Sequence, residues 1–402
     1  MSTLFAHGQN VDSAHTAHDA ALAAGRVPVR TELPGLAPAW VIIGDEQARA
    51  ALVDPRLGKD TTLVTATIRA QATAAGYPTP TWLSRMFNGL LFLDGPQHSE
   101  ERRVLAGAFT ARRVRELRPR IKDITARLLD NLHQAEESVV DLVQHVAGAV
   151  PLTVICELLG IPEPWRARFR ELTLALMQDD PAINLPASDE LGAFLVELVA
   201  GKRADADRGH QGADLTSALL DLDTERLVDI LVLVFVAGHE TTVNLIGNTM
   251  LALLRHPPLW RDAAQRPDLV AEMVEETLRW DAPVRTATHR VTLEPVVYGG
   301  VEIPAGELVM VSLEAANRDP DQWEDPTAFD PARHPRGHLA FGLGPHACLG
   351  ASLGRAEAQI VMRQITARFP DATLAEPVMR LRRTVSSIMN GLTALPVALR
   401  PA

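Results

Sequence analysis

Hydrophobic and polar positions recur with a helical period along most of the chain, and one region switches to a strand-like pattern. "AWVIIG" (39–44) is a short apolar run that predicts a strand, and "DEQARAALVD" after it predicts a helix with an acidic first turn. From about residue 98 to 256 the period is helical, with breaks at prolines and glycines. "PLTVICELLGIP" (151–162) is one such helix, ended by Gly160 and Pro162, and it carries Cys156 among apolar neighbours, the setting of an inert core cysteine. The longest pattern runs from Thr224 to Arg255 without a proline, which is ~48 Å of helix at ~1.5 Å per residue. Its stretch "ILVLVFVAG" (230–238) is apolar all round, so this helix is predicted to pass through the middle of the fold. The polar run "KRADADRGHQGAD" (202–214) predicts a surface joint between helices. Between 291 and 313, β-branched runs flank Gly299-Gly300 and Pro304-Ala305-Gly306, a pattern of antiparallel strands. Residues 314–338 are rich in turns and proline. With no internal repeat, low-complexity tract or dividing linker, residues 1–402 read as one large fold, mainly α with a minor antiparallel β part.

Composition narrows the class. The hydrophobic fraction of 47% and charged fraction of 22% are ordinary for a soluble globular protein. Two cysteines, Cys156 and Cys348, exclude a disulfide framework and fit a reducing compartment. The N-terminal stretch lacks a basic start followed by an apolar core, and the longest apolar run is about half of the ~20 residues a membrane span needs. The expectation is a cytoplasmic protein without a membrane segment. A net charge of −11 opposes general nucleic-acid binding. Against that background "RRVRELRPRIK" (112–122) sets Arg112, Arg113, Arg115, Arg118, Arg120 and Lys122 against Glu116 alone. It is either a solvated helix face or a docking patch for an acidic partner.

Two stretches carry candidate chemistry. The first is "AGHETT" (237–242), inside the long apolar helix. A mid-helix glycine costs about 1 kcal/mol against alanine, and a buried acid costs more unless it is satisfied. Either small residues make room for a ligand beside Glu240 and Thr241, or the helix surfaces here and solvates the acid. The second is "FGLGPHACLG" (341–350). Gly342 and Gly344 can take backbone angles closed to other residues, which lets the chain curl under the Cys348 sulfur. A helix beginning near Gly350 aims its positive end at the same atom, and both effects favour thiolate. Phe341 is placed to cover the sulfur from water. This suits a single thiolate bound to a metal. Structural zinc would need further Cys or His ligands at paired spacings, which are missing. A nucleophilic cysteine would need an oriented His base and would leave the glycines unexplained.

"FGLGPHACLG" matches in full the haem-binding signature of the cytochrome P450 family, Phe-Gly-x-Gly-x-His-x-Cys-x-Gly. "AGHETT" is similar to that family's oxygen-binding helix, and Glu276 and Arg279 of "EETLR" match its Glu-x-x-Arg. Arg333 of "FDPAR" resembles the third member of that ion-paired triad, and "HSEER" (98–102) resembles its His-x-x-x-Arg. "NRDP" (317–320) and "SSIMNGLTALPV" (386–397) resemble soluble bacterial members.

The resemblance implies a P450-type fold with the long helix over haem b and Cys348 as the iron ligand. His98, Arg102, Arg290 and His346 are the implied partners of the two haem propionates, and the spacing selects Arg102 over Arg103. Phe341, Gly342 and Gly350 are implied around the thiolate, and Ala237 and Gly238 beside the dioxygen site. Glu240 and Thr241 are the implied catalytic pair for proton delivery. The implied activity is dioxygen-dependent hydroxylation or epoxidation of a mostly apolar natural product by a monomer. The chain carries no flavin or iron–sulfur motif, so the resemblance implies a separate ferredoxin and ferredoxin reductase, with 112–122 as the candidate dock. Oxidative coupling without oxygen insertion is an alternative; a non-catalytic haem protein would have no need of the acid–hydroxyl pair. Expected pocket residues are Met86, Phe87, Leu90, Leu91, Met177, Val236, Val284, Thr286, Ile388 and Met389. Arg285 either meets an acidic substrate or faces solvent.

Overall fold

Stretches of helical period become helices, and prolines and glycines bound them. The computed structural model describes residues 4–5, 10–33, 38–74, 89–134, 138–176, 181–210 and 212–400. Its helices are α1 (Thr16–Ala23), α2 (Asp45–Val53), α3 (Thr61–Ala74), α4 (Gly95–Ala106), α5 (Ala111–Gln134), α6 (Ala149–Leu159) and α7 (Arg166–Leu176). They continue as α8 (Pro181–Asp207), α9 (Leu215–Ala218), α10 (Thr224–Leu254), α11 (Pro257–Gln265), α12 (Val270–Trp280), α13 (Leu313–Ala316) and α14 (Ala351–Arg368). The strands are β1 (Val29–Glu32), β2 (Pro38–Ile42), β3 (Leu57–Gly58), β4 (Val139–Asp141), β5 (Arg290–Thr292), β6 (Val296–Tyr298), β7 (Val301–Ile303), β8 (Leu308–Val311), β9 (Thr373–Leu374) and β10 (Pro396–Ala398).

The long predicted helix is α10. The Asp223 side chain caps it by accepting the Arg226 N–H, and Arg255 is its C-cap. It packs against α6, α8, α12 and α14. Its length and composition would allow a membrane crossing, but 56% of its apolar window is buried inside the protein, as befits a core helix. Cys156 on α6 is 2% exposed, and burial pushes its thiol up to about 11, so it is inert packing. Gly160 ends α6 at φ 69°.

Two expectations need correction. The run 202–214 is not wholly a joint: α8 continues to Asp207, and the chain turns only at Gly209, φ 84°. The β part is not purely antiparallel. In the five-stranded sheet, ordered β1-β2-β8-β5-β3, β2 and β8 run parallel. The strands β2 and β8 come from distant parts of the chain, so no hairpin forces them antiparallel. The hairpin of β6 and β7 does turn at Gly299 and Gly300, φ 54° and 76°.

The contacts of α14 position the site. It starts directly behind the Cys348 loop and packs on α5, α10, α11 and α12. One helix therefore joins the loop, the core helix and the basic segment.

Candidate functional site

The Cys348 loop is built by its glycines. Gly342 and Gly344 have φ of 69° and 75°. A side chain on Gly344 would begin 2.6 Å from Val53 Cγ1, so only glycine lets the loop lie against the end of α2. The Cys348 N–H donates to the Phe341 carbonyl at 2.8 Å, and the Gly350 and Ala351 N–H groups point at the sulfur. The thiol is accessible yet deep in the protein. Burial raises its pKa and outweighs the opposing pull of those N–H groups, Arg102 and Arg355. The helix end alone therefore does not secure a thiolate; a cation bound at the sulfur would. The Phe341 ring receives the Arg355 guanidinium, 4.3 Å from its centroid. Among the described residues no group of three or more His, Cys, Asp or Glu side chains is arranged to hold a metal ion.

Two consecutive acids on α12 hold the surroundings. Glu276 accepts from Arg279 at 2.6 and 2.8 Å, and Arg333 lies 3.4 Å away. Arg279 also donates to the carbonyls of Pro326 and Ala328, which anchors the turn-rich segment. This is the predicted triad. Glu275 was not singled out from sequence. It accepts from Arg355 at 2.6 and 3.0 Å and faces His338 at 3.1 Å, tying both sides of the Cys348 loop to α12. Burial raises its pKa, but His338 and Arg355 overcome that and hold it at about 2.

A cationic cluster gathers beside the loop. His98 on α4 is 3% exposed, its ring centroid lies 4.1 Å from that of His346, and its Nε2 has no hydrogen-bond partner. Arg102 donates to the Ala347 carbonyl at 2.8 Å, while Arg103 points to solvent. Buried Arg290 donates to the carbonyls of Ala51 and Leu52, and its Nε has no partner. Burial, then the charges of Lys59, His98, Arg290 and Arg102, push His346 down to about 2. The four residues expected to meet propionates converge here. Their unmatched buried donors and positive charge fit the carboxylates of a haem, and the glycine cradle under the sulfur fits its iron.

On α10 the Thr241 hydroxyl donates to the Ala237 carbonyl at 2.7 Å, and Thr242 does the same to Gly238 at 2.8 Å. Ala237 is exposed and Glu240 half-buried. A side chain on Gly238 would begin 3.3 Å from Ile155 Cδ1, so its bare face admits α6. A side chain on Gly354 would begin 3.9 Å from Thr242 Oγ1, so this turn of α10 abuts the start of α14. His239 is buried and stacked on Phe235, and burial pushes it down to about 4.

Several pocket expectations change. Arg285 neither faces solvent nor awaits a substrate: it is 4% exposed and paired with Glu314 at 3.0 Å. Thr286 is fully buried and donates to the Ser387 carbonyl at 2.8 Å, so it fastens the turn at 386–390 rather than lining a pocket. Leu90 is 8% exposed and belongs to the core. Leu91, Val236, Val284, Ile388 and Met389 are half-buried, with Val284 bridged to Met389. Met86, Phe87 and Met177 lie outside the described residues.

The sequence matches the family described as Cytochrome P450 over residues 60–161 and 258–379. It is 42% identical over 367 residues to Cytochrome P450 107B1 of Saccharopolyspora erythraea, covering 89% of each chain. It is 41% identical over 372 residues to the Cytochrome P450 monooxygenase PikC of Streptomyces venezuelae, covering 90% of this chain and 85% of that one. The tirandamycin C-bound P450 monooxygenase TamI superposes with a TM-score of 0.85 at 35% identity, over 96% of this chain and 97% of that one. With the Cys348 loop, the α12 triad and the cationic cluster in one fold, the chain belongs to the cytochrome P450 family of monooxygenases.

Proposed function

We propose that this chain binds haem b through Cys348 and uses dioxygen to hydroxylate or epoxidise a mostly apolar natural product of the polyketide or macrolide class. The observation that carries the reading is the Glu240–Thr241 step on α10, one turn of apolar helix made polar where it abuts the helix behind Cys348. The similarity to PikC and to tirandamycin-bound TamI supports the substrate class.

When bound, the haem supplies the activation of dioxygen and the oxidation of a substrate C–H or C=C bond. Cys348 provides the anionic sulfur, and the Gly350 and Ala351 N–H groups spread its charge. His98, Arg102, Arg290 and His346 hold the carboxylates and so fix the orientation of the ring. Thr241 passes a proton from its hydroxyl, and Glu240 replenishes it from solvent. Electrons come from a separate ferredoxin and ferredoxin reductase. Their dock is the exposed basic face of α5. The whole chain acts as one haem domain, a cytoplasmic monomer.

The test is turnover of a panel of macrolide and polyketide aglycones under labelled dioxygen, with a ferredoxin, its reductase and nicotinamide reductant. One labelled oxygen atom in the product is expected. A product formed without label would overturn oxygen insertion.

A further inference from the structure

The N-terminal segment carries a histidine that no motif names. His15, the residue before α1, is 8% exposed and stands between two buried carboxylates. Its Nδ1 lies 2.5 Å from Glu314 Oε1 on α13, and its Nε2 lies 3.2 Å from Asp281 Oδ1 at the end of α12. A neutral imidazole donates from one nitrogen only and would turn a bare lone pair on one of these oxygens. The ring that satisfies both contacts is the imidazolium. Arg285 pairs with Glu314 at 3.0 Å, and Arg383 with Asp281 at 2.5 Å. On α1, His18 Nδ1 lies 3.7 Å from Glu314, and burial pushes that ring down toward neutrality. Asp19 is taken by Arg318 at 2.8 Å, and Asp12 by Arg255 at 2.9 Å. Histidine is the side chain that gains and loses its charge between about pH 5 and 8. The double contact is complete while the ring is protonated and is lost as pH rises.

The two acids that His15 joins are the two that hold the turn at 386–390. Glu314 and the Ala14 carbonyl fix the Arg285 guanidinium, whose Nε donates to the Met389 carbonyl at 3.3 Å. The Arg285 backbone N–H donates to the Ile388 carbonyl at 2.7 Å. Asp281 accepts from the Asn390 side chain at 2.7 Å, on the same oxygen that faces His15. The Asn390 backbone N–H donates to the Pro283 carbonyl at 2.9 Å. One side of the turn thus hangs from Glu314 and the other from Asp281. Ile388 packs against the apolar cluster that holds Leu22 of α1. We infer that His15 is a positioning residue for the substrate pocket: as an imidazolium it braces Glu314 against Asp281 and so holds the 386–390 turn, which loosens when the ring loses its proton. That Ile388 and Met389 face substrate rests on the haem-monooxygenase reading above; the clamp itself does not.

The experiment follows amide hydrogen exchange in the purified full-length protein by mass spectrometry. It is run at about pH 6 and about pH 9, either side of the range in which histidine titrates. Each rate is taken relative to that of an unfolded peptide at the same pH. The reporters are peptides covering Arg285 and Asn390, whose N–H groups join the turn to the 283–286 segment, and α14 is the control. Between the two pH values, wild type is expected to lose about tenfold of its protection at the reporters, the worth of one charged hydrogen bond, and none at α14. His15→Gln, which cannot carry the charge, is expected to show the lower level at both pH values. Wild-type protection that is constant with pH would overturn the proposal, as would an unaltered profile in His15→Gln. A loss that spreads equally to α14 would make His15 a general strut of the fold and overturn it too. If His15→Gln does not fold, the wild-type profile decides alone. The haem content of the same samples is read from their absorbance: the expected profile in a chain that carries no haem would sustain the clamp and overturn the haem reading.

Discussion

Thr241 donates its hydroxyl to its own helix, at 2.7 Å from the Ala237 carbonyl, one residue past a half-buried acid. Such a back-bond leaves the hydroxyl oxygen free to accept, so it can exchange a proton while remaining oriented. Thr241→Ala should keep haem binding and dioxygen consumption but lower product per reducing equivalent, with hydrogen peroxide appearing instead. The product rate should fall ~10²-fold, the usual worth of a positioned acid–base group. Wild-type coupling in this variant would remove Thr241 from proton delivery. His239→Leu should be milder, because burial already keeps that imidazole neutral. The Glu240–Thr241 pair stands out in the sequence because polar residues interrupt an apolar helix. Arg285 was not legible, since its partner Glu314 lies 29 positions away and no local pattern links them.

The α12 helix ties the proximal loop through Glu275 and the turn-rich segment through Glu276. The folded pKa of Glu275, about 2, lies below its ordinary 4.5. Its contribution to stability is therefore complete above about 4.5 and is lost as pH falls toward about 2. Glu275→Gln should cost about 3 kcal/mol near neutrality, as removal of one partner of a buried ion pair does. Denaturant melts across pH should show the gap between variant and wild type closing over that acidic window. A gap that is constant with pH would mean the tie to Arg355 and His338 is not electrostatic. At this scale α10, α6 and the β6–β7 hairpin were readable from period, capping and glycine position. The parallel pairing of β2 with β8 was not, because it depends on which distant strands meet. Glu275 was hidden by its neighbour: "EETLR" shows two acids, and only the three-dimensional loop tells which one each cation reaches.

Across the whole molecule, α5 presents its basic face outward while its apolar face packs on α14. The ion pairs within 112–122 engage Arg112 and Arg113 with Glu116, and Arg120 with Glu157. Reversing exposed Arg115 and Lys122 to Glu leaves those pairs in place. This should raise the apparent KM for an acidic ferredoxin and weaken its salt dependence, while substrate binding without electron transfer stays unchanged. An unchanged KM would return α5 to an ordinary solvated face. A second long-range tie joins the N-terminal segment to the far end of the chain: His15 contacts Glu314 at 2.5 Å and Asp281 at 3.2 Å, and Asp281 pairs with Arg383 at 2.5 Å. Sequence could not foresee this network, because four separated segments contribute to it. All of these elements serve one claim, that Cys348 is the thiolate ligand of a haem. The measurement that tests it most directly is the carbon monoxide difference spectrum of the reduced protein in wild type, Cys348→Ser and Cys156→Ser. The account predicts a thiolate-type Soret band in wild type and Cys156→Ser and its loss in Cys348→Ser; a band that survives in Cys348→Ser and vanishes in Cys156→Ser would contradict it.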